Sequence, residues 1–338
     1  MEQRRLGTNG PAVSALGLGC MGMSDFYGPT DRSESVATFH AALDAGITLL
    51  DTGDFYGMGH NEMLIREALE SVGPRNVQIS VKFGALRGPD KTWLGYDSRP
   101  AAIRNFLSYS LQRLGVDAID IYRPARLDPA VSIEDTIGAM GELVKQGYIK
   151  HIGLSEVGSE TIRRAHKVHP IADLQIEYSL ISRGIESDIL KTCRELGIGI
   201  TAYGVLSRGL ISGHWSKDRN TQADFRHHAP RFQGDNLERN LALVETLRQI
   251  ADEIGATPAQ IAIAWVAAQG NNQGKDIVPL VGARRRDRLT EALGALDVTL
   301  SDAHLKALAD AFPPGVAAGA RYQEAQLAHM DSERRPTA

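Results

Sequence analysis

Short apolar runs rich in Ile, Val and Leu alternate along this chain with longer amphipathic stretches, and that alternation restricts the fold more than any other feature. Strands buried on both faces read as such runs, and amphipathic segments between them read as covering helices, so the pattern is that of a parallel β/α fold. Eight runs are expected as strands: Ile47–Asp51, Val77–Lys82, Ala118–Tyr122, His151–Ser155, Leu174–Tyr178, Gly199–Tyr203, Ile277–Val281 and Leu296–Thr299. That number fits a closed barrel. Between Arg99 and Leu114, Ile103, Phe106, Leu107, Leu111 and Leu114 recur at helical spacing, while Arg104, Asn105 and Gln112 face water. Thr257-Pro258 supplies a capping residue and then proline at a helix start, and Gly270-Asn271-Asn272 supplies the stop.

The 338 residues suit one barrel, because such folds run from roughly 200 to 400 residues and no Pro-, Gly- or Ser-rich linker divides this chain. Hydrophobic residues at 43% with 23% charged describe a globular chain that can bury a large core. A net charge of -4 argues against general nucleic-acid binding, which needs a basic surface. Cys20 and Cys193 are the only cysteines, so no disulfide framework is expected and a reducing cytoplasm is the simplest location. The first residues lack the apolar stretch of a secretory signal, and no apolar run approaches the ~20 residues that span a bilayer. Two stretches look inserted after strand ends, Lys91–Ser98 and Ser207–Asn236, and loops on that face of a barrel build active sites.

Chemistry concentrates where apolar strands end in polar residues. Leu49-Leu50 runs into Asp51-Thr52-Gly53-Asp54-Phe55-Tyr56, which puts an acid at the strand's mouth and a phenol in the turn after it. The next strand ends in Lys82, beside Asp51. Singly, these residues read as a turn cap, a pocket wall and a structural ion pair. Jointly, at successive strand ends, they read as a site, since barrel enzymes assemble chemistry from several strand termini. No metal set emerges: His227 and His228 are adjacent, and His166 with His169 lacks a completing Cys or carboxylate.

With these residues in view, the chain resembles the aldo-keto reductase superfamily, including its bacterial short-chain members and the relatives that form potassium-channel β subunits. Its markers are LGLGCMGMSDFYG, DAGITLLDTGDFYGMGHNE, the strand ending in Lys82, IGLSEV, LQIEYSL, TAYGVLSRG and IVPLVGARRRDRL, in that order. The resemblance implies a single (β/α)8 TIM barrel over residues 1–315, with an N-terminal β-hairpin and long loops at the C-terminal face of the strands. Residues 316–338 are expected as a partly mobile tail. It also implies reduction of an aldehyde or ketone with NADP(H), or the reverse alcohol oxidation. Asp51, Tyr56 and Lys82 match three of the family's four catalytic positions. A phenol has a pKa of about 10, and a nearby ammonium such as Lys82 is expected to lower it. The fourth position departs: relatives carry histidine after the third of these strands, whereas Asp120-Ile121-Tyr122-Arg123-Pro124-Ala125-Arg126-Leu127-Asp128 places Ala125 there. Arg123 or Arg126 is the candidate substitute donor.

No GxGxxG follows the first strand, so the dinucleotide is not held in the Rossmann manner. The phosphate signal is Val281-Gly282-Ala283-Arg284-Arg285-Arg286-Asp287-Arg288, where glycine, a helix start and arginines coincide. By resemblance, Gly282, Arg284 and Arg288 hold the 2′-phosphate end of NADP and Glu291 the adenine, with Ala292 replacing an asparagine. Ser155 and Gln175 match the carboxamide site, Tyr203 the ring that flanks the nicotinamide, and Ser207, Arg208 and Gly209 the pyrophosphate segment. Gly19, Cys20 and Met21, with Asp51, fall near the nicotinamide. The substrate pocket is expected from Tyr27, Tyr56, Trp93, Arg123 and Ala125. A small carbonyl or alcohol is the expected partner, with no nucleic acid and no membrane. The channel-associated relatives leave a second reading open, an NADP-binding redox sensor or auxiliary subunit with little turnover. Oligomeric state is not legible.

Overall fold

Parallel pairing runs unbroken around a closed barrel of eight strands in the computed structural model, which describes residues 1–73, 76–219, 224–270 and 275–333. The strands are β1 (Gly17–Gly19), β2 (Leu49–Gly53), β3 (Gln78–Phe83), β4 (Ile119–Pro124), β5 (Ile149–Ser155), β6 (Ile171–Glu177), β7 (Gly199–Tyr203) and β8 (Ile277–Gly282). β8 closes on β1, with Val281 opposite Leu18 and Gly282 opposite Gly19. Seven of the expected runs are barrel strands, with ends shifted by a few residues.

The eighth expectation is corrected. Leu296–Thr299 is no strand: Gly294–Asp297 forms a 3-10 turn, and the barrel position belongs to Gly17–Gly19. Three residues with two glycines carry almost no apolar pattern, so β1 owes its pairing to β8 and β2 on either side. An antiparallel hairpin, Gln3–Arg5 with Ala12–Ser14, lies against the barrel's lower end. Its Leu6 and Val13 pack with Leu49, Ile121 and Val278 to plug that end with apolar side chains.

The covering helices follow their sequence signals. Pro100–Leu114 buries Ile103, Leu107 and Leu114 against the barrel. The helix Pro258–Gln269 opens with a capping box, Thr257 accepting from the Gln260 N–H while the Gln260 side chain accepts from the Thr257 N–H. Gly270 ends it, and Asn271 and Asn272 lie outside the described residues. No helix among the described residues is long and apolar enough to cross a membrane.

Above the C-terminal ends of the strands, three segments build the walls of the site. Ala85–Arg87 pairs with Trp93–Tyr96 in a ribbon, so the first expected insertion is an ordered flap. Residues 207–219 and 224–233 wind through 3-10 turns before the helix Gly234–Ile254, and residues 220–223 of this second insertion lie outside the described residues. Residues 316–333 return across the barrel mouth. There Arg321, 8% exposed, donates to Glu156 Oε2 at 2.6 Å and to Glu177 Oε2 at 3.3 Å, anchoring the segment to the ends of β5 and β6.

Candidate active site

Register alone brings the polar strand ends together. Asp51 sits opposite Ser80, and Lys82 opposite Arg123, with all four directed into the barrel's core of hydrogen bonds. Lys82 Nζ donates to Asp51 Oδ2 at 2.5 Å, while Ser80 Oγ and Gln175 Nε2 donate to Asp51 Oδ1 at 2.9 and 2.7 Å. A carboxylate accepting three donors on two oxygens is fixed in place and satisfied in its ionised form.

Tyr56 rises from the turn after β2. The turn is stitched by Asn61, whose side chain accepts from Thr52 Oγ1 at 2.6 Å and donates to the Cys20 carbonyl at 2.9 Å. Phe55 and Phe26 meet the Tyr56 ring edge-on at 4.8 and 6.1 Å, and Lys82 Nζ lies 5.5 Å from its centroid. Burial pushes the phenol pKa well above its ordinary value, Asp51 adds to the rise, and Arg126 pulls the other way. Burial also lowers Lys82, with Asp51 opposing and Arg123 and Arg126 assisting. Arg126 thus joins Lys82 as a cation beside the phenol.

These groups face a cavity of about 760 Å³ that runs from Tyr56 to the basic segment after β8. Across the matched region, residues 15–312 fit the model of the Aldo/keto reductase family. The chain belongs to the aldo/keto reductase family. It is 42% identical over 322 residues to "Probable aldo-keto reductase 1" of Glycine max, covering 94% of this chain and 91% of that protein. The glycerol dehydrogenase of Gluconobacter oxydans superposes with a TM-score of 0.82 at 29% identity, over 99% of this chain and 98% of its own. A holo aldo-keto reductase of Bacillus halodurans superposes with a TM-score of 0.75 at 25% identity, over 96% and 99%. Membership implies an oxidoreductase of the NAD(P)H-dependent carbonyl-reducing class.

Most of the residues singled out from this aldo/keto reductase sequence line the one cavity. At its floor are Asp51, Tyr56 and Lys82, with Ala125 beside them; Tyr27 and Trp93 stand in its walls. Gly19, Met21, Ser155, Gln175 and Tyr203 follow along the strand ends. Arg208, Gly209, Gly282, Arg284, Arg288 and Glu291 complete the far end.

Three do not reach it. Arg123, expected in the pocket, is fully buried in the barrel, where Nη1 pairs with Asp173 Oδ2 at 3.0 Å and Nη2 donates to Ser80 Oγ at 2.9 Å. Its place exists because residue 153 is glycine: a Cβ there would meet Asp173 Oδ1 at 2.6 Å and Arg123 Cζ at 3.2 Å. Cys20 is sealed beneath the cavity, its thiol donating to the Leu18 carbonyl and its pKa pushed up by burial. Ser207 is fully buried, and its hydroxyl accepts from Arg231 at 3.5 Å.

Other residues were missed. Tyr322, Gln326, His329 and Met330 come from the C-terminal segment and line the same cavity, and an aromatic beside a buried arginine in that stretch was the only signal. His214 was also missed. Its Nε2 contacts Glu291 Oε2 at 2.8 Å, a pairing across 77 positions that no local pattern marks.

Proposed function

We propose that this chain reduces an aldehyde or ketone with NADPH, or runs the reverse alcohol oxidation, and that Tyr56 exchanges the proton with the substrate oxygen. One observation carries the reading: the Tyr56 phenol and the Lys82–Asp51 pair converge on the floor of the long cavity.

The donors along the cleft fit a phosphorylated dinucleotide. A Cβ at Gly282 would find its nearest neighbour, the Gly19 carbonyl, at 4.0 Å, so backbone here is open to close approach. Ser155 Oγ accepts from Arg126 at 3.5 Å and gives no hydrogen bond within the described residues, leaving its proton for a carboxamide. Arg284, Arg285 and Arg288 supply charge at the far end, which favours NADPH over NADH.

Bound NADPH supplies a hydride to the carbonyl carbon. The protein's part is the proton. The raised phenol pKa keeps Tyr56 protonated until a substrate oxygen demands the proton. As that proton leaves, negative charge grows on the phenol oxygen, and the Lys82 ammonium and Arg126 guanidinium stabilise it. Asp51 keeps Lys82 charged against burial, and Ser80 and Gln175 keep Asp51 aimed.

NADPH consumption over aldehydes, ketones and quinones tests this. Tyr56→Phe should cost at least about 100-fold in turnover while leaving cofactor affinity within about threefold. Undiminished turnover in that variant sinks the proton-donor assignment. A second reading, an NADP-binding sensor or auxiliary subunit, is favoured by Ala125, whose buried methyl stands where relatives carry histidine. Single-turnover mixing separates the two, since a sensor transfers hydride once and releases NADP slowly.

A further inference from the structure

Arginines crowd this cavity, and their partners sort them. Arg208 holds Glu177, Arg226 holds Asp224, Arg285 holds Asp287 and Arg288 holds Glu291. Arg284 spends Nη1 on the carbonyls of Tyr27, Gly28 and Pro29 at 3.0 to 3.3 Å. Arg126 is placed differently. Its Nη1 donates to its neighbour's carbonyl, Ala125 O, at 2.6 Å and reaches Ser155 Oγ at 3.5 Å. Nε and Nη2 make no hydrogen bond among the described residues, and neither is sealed in protein, so both open onto the cavity.

No carboxylate of the described residues pairs with Arg126. Glu156, the acid in its field, is already bound by Arg321 and by the Tyr203 hydroxyl at 2.6 Å. The other groups in that field are the phenols Tyr96, Tyr203 and Tyr322, and none of them is a carboxylate. Burial opposes this guanidinium's charge and Glu156 supports it without touching it, so the fork stays charged with two donors unpaired, and an anion that reaches them gains charge-assisted hydrogen bonds. Its planar fork matches a carboxylate in a two-point contact.

We propose that Arg126 is the anion-binding residue of the substrate site, and that the carbonyl compounds this chain takes carry a carboxylate a few bonds from the reacting carbon. One unpaired positive charge suits a monoanion rather than a phosphate dianion, since the neighbouring Lys82 is neutralised by Asp51. Arg126 also acts on Tyr56, so the carboxylate and the reacting oxygen sit at the same end of the cavity. The walls above are aromatic, with Phe26, Phe55, Trp93 and Tyr96, and accommodate an aryl or alkyl body. This inference rests on the reading of the cavity as a carbonyl-reduction site.

The test compares acids with their methyl esters: phenylglyoxylate, 2-carboxybenzaldehyde and succinic semialdehyde, each with NADPH. The wild type should favour the acid in at least one pair by tenfold or more in kcat/KM, about what one two-point charged contact supplies. Arg126→Met should remove that preference, bringing the acid-to-ester ratio of kcat/KM to within about threefold of one in every pair, while loss of the cation beside Tyr56 slows acid and ester alike and so cancels in the ratio. Esters preferred in every pair, or an acid preference that survives Arg126→Met, would overturn the assignment while leaving carbonyl reduction standing. Failure to reduce any acid, ester or simple aldehyde overturns both readings. Should the variant not fold, inhibition of the wild type decides: benzoate should compete with a neutral aldehyde at least tenfold more strongly than benzamide, and equal inhibition rejects the proposal.

Discussion

A buried phenol keeps its proton, so the groups around Tyr56 have to manage charge without giving the proton away early. The turn that carries it shows the same physics in a second group, Asp54. Burial, reinforced by Glu62, raises the Asp54 carboxyl to about 8, with the Gly84 N–H and Arg113 opposing. Near neutrality Asp54 is thus mostly protonated in the folded chain, whereas in the unfolded chain it ionises near the ordinary aspartate value of 3.8. A folded-state pKa above the unfolded one means that the native state binds more protons between those values. Stability from this group is therefore fully present below about 4, falls as pH rises, and is lost once pH passes about 8. Asp54→Asn removes the ionisation, so its melting temperature relative to wild type should climb from pH 6 to pH 9 and then level off. Scanning calorimetry across that range checks it, and a difference that stays flat with pH rules it out. Asp51 and Lys82 were legible from the chain alone, because a charged residue ending an apolar run has few places to go but a strand mouth. Arg123 was opaque for the same reason in reverse: only the pairing of β4 with β3 decides that it turns inward, toward Asp173 on a strand 50 positions away.

Element by element, the legible parts were those that carry their own signal. β3 and β6 announce themselves by apolar content, and the helix Pro258–Gln269 by its cap. β1 has no signal of its own, and residues 294–299 imitate one. The C-terminal segment was the hardest to read, since its structure depends on charges supplied by distant strands. Burial aside, Arg321 holds Glu156 well below the usual carboxylate range, and Ser332 Oγ donates to the same carboxylate at 2.5 Å. Arg321→Met would strand Glu156 in the interior, and deleting one partner of a buried pair costs about 3–5 kcal/mol. We therefore expect residues 316–333 to be cleaved faster by a nonspecific protease and the melting temperature to fall. Glu156→Gln in the same chain should recover more than half of the loss, because the stranded charge is gone. Unchanged proteolysis and melting in Arg321→Met would mean that the strap is held by its apolar contacts alone.

At the scale of the whole molecule, eight strands converge on one cavity, so a ligand lying along it touches residues from both ends of the chain: Gly19 and Met21 near the start, Gly282 to Glu291 near the end of the barrel, and Tyr322 beyond it. A ligand that binds the folded chain and not the unfolded one stabilises it by mass action, by about 2.7 kcal/mol at a hundred times its Kd. Spread over the unfolding entropy of 338 residues, that corresponds to a rise of roughly 4 °C in Tm. The basic end of the cavity makes the size of this rise depend on the nucleotide. Arg288 is partly exposed and its ion pairs among the described residues are with its own helix, Glu291 at 3.2 Å and Asp287 at 3.8 Å, so a 2′-phosphate can compete for it. NADPH should raise the Tm more than NADH at equal concentration, and Arg288→Ala should shrink the NADPH shift toward the NADH value while leaving the NADH shift where it was. Equal shifts for both nucleotides in the wild type would refute the preference for NADPH, and a variant that loses both shifts together would assign Arg288 to the fold and not to the phosphate.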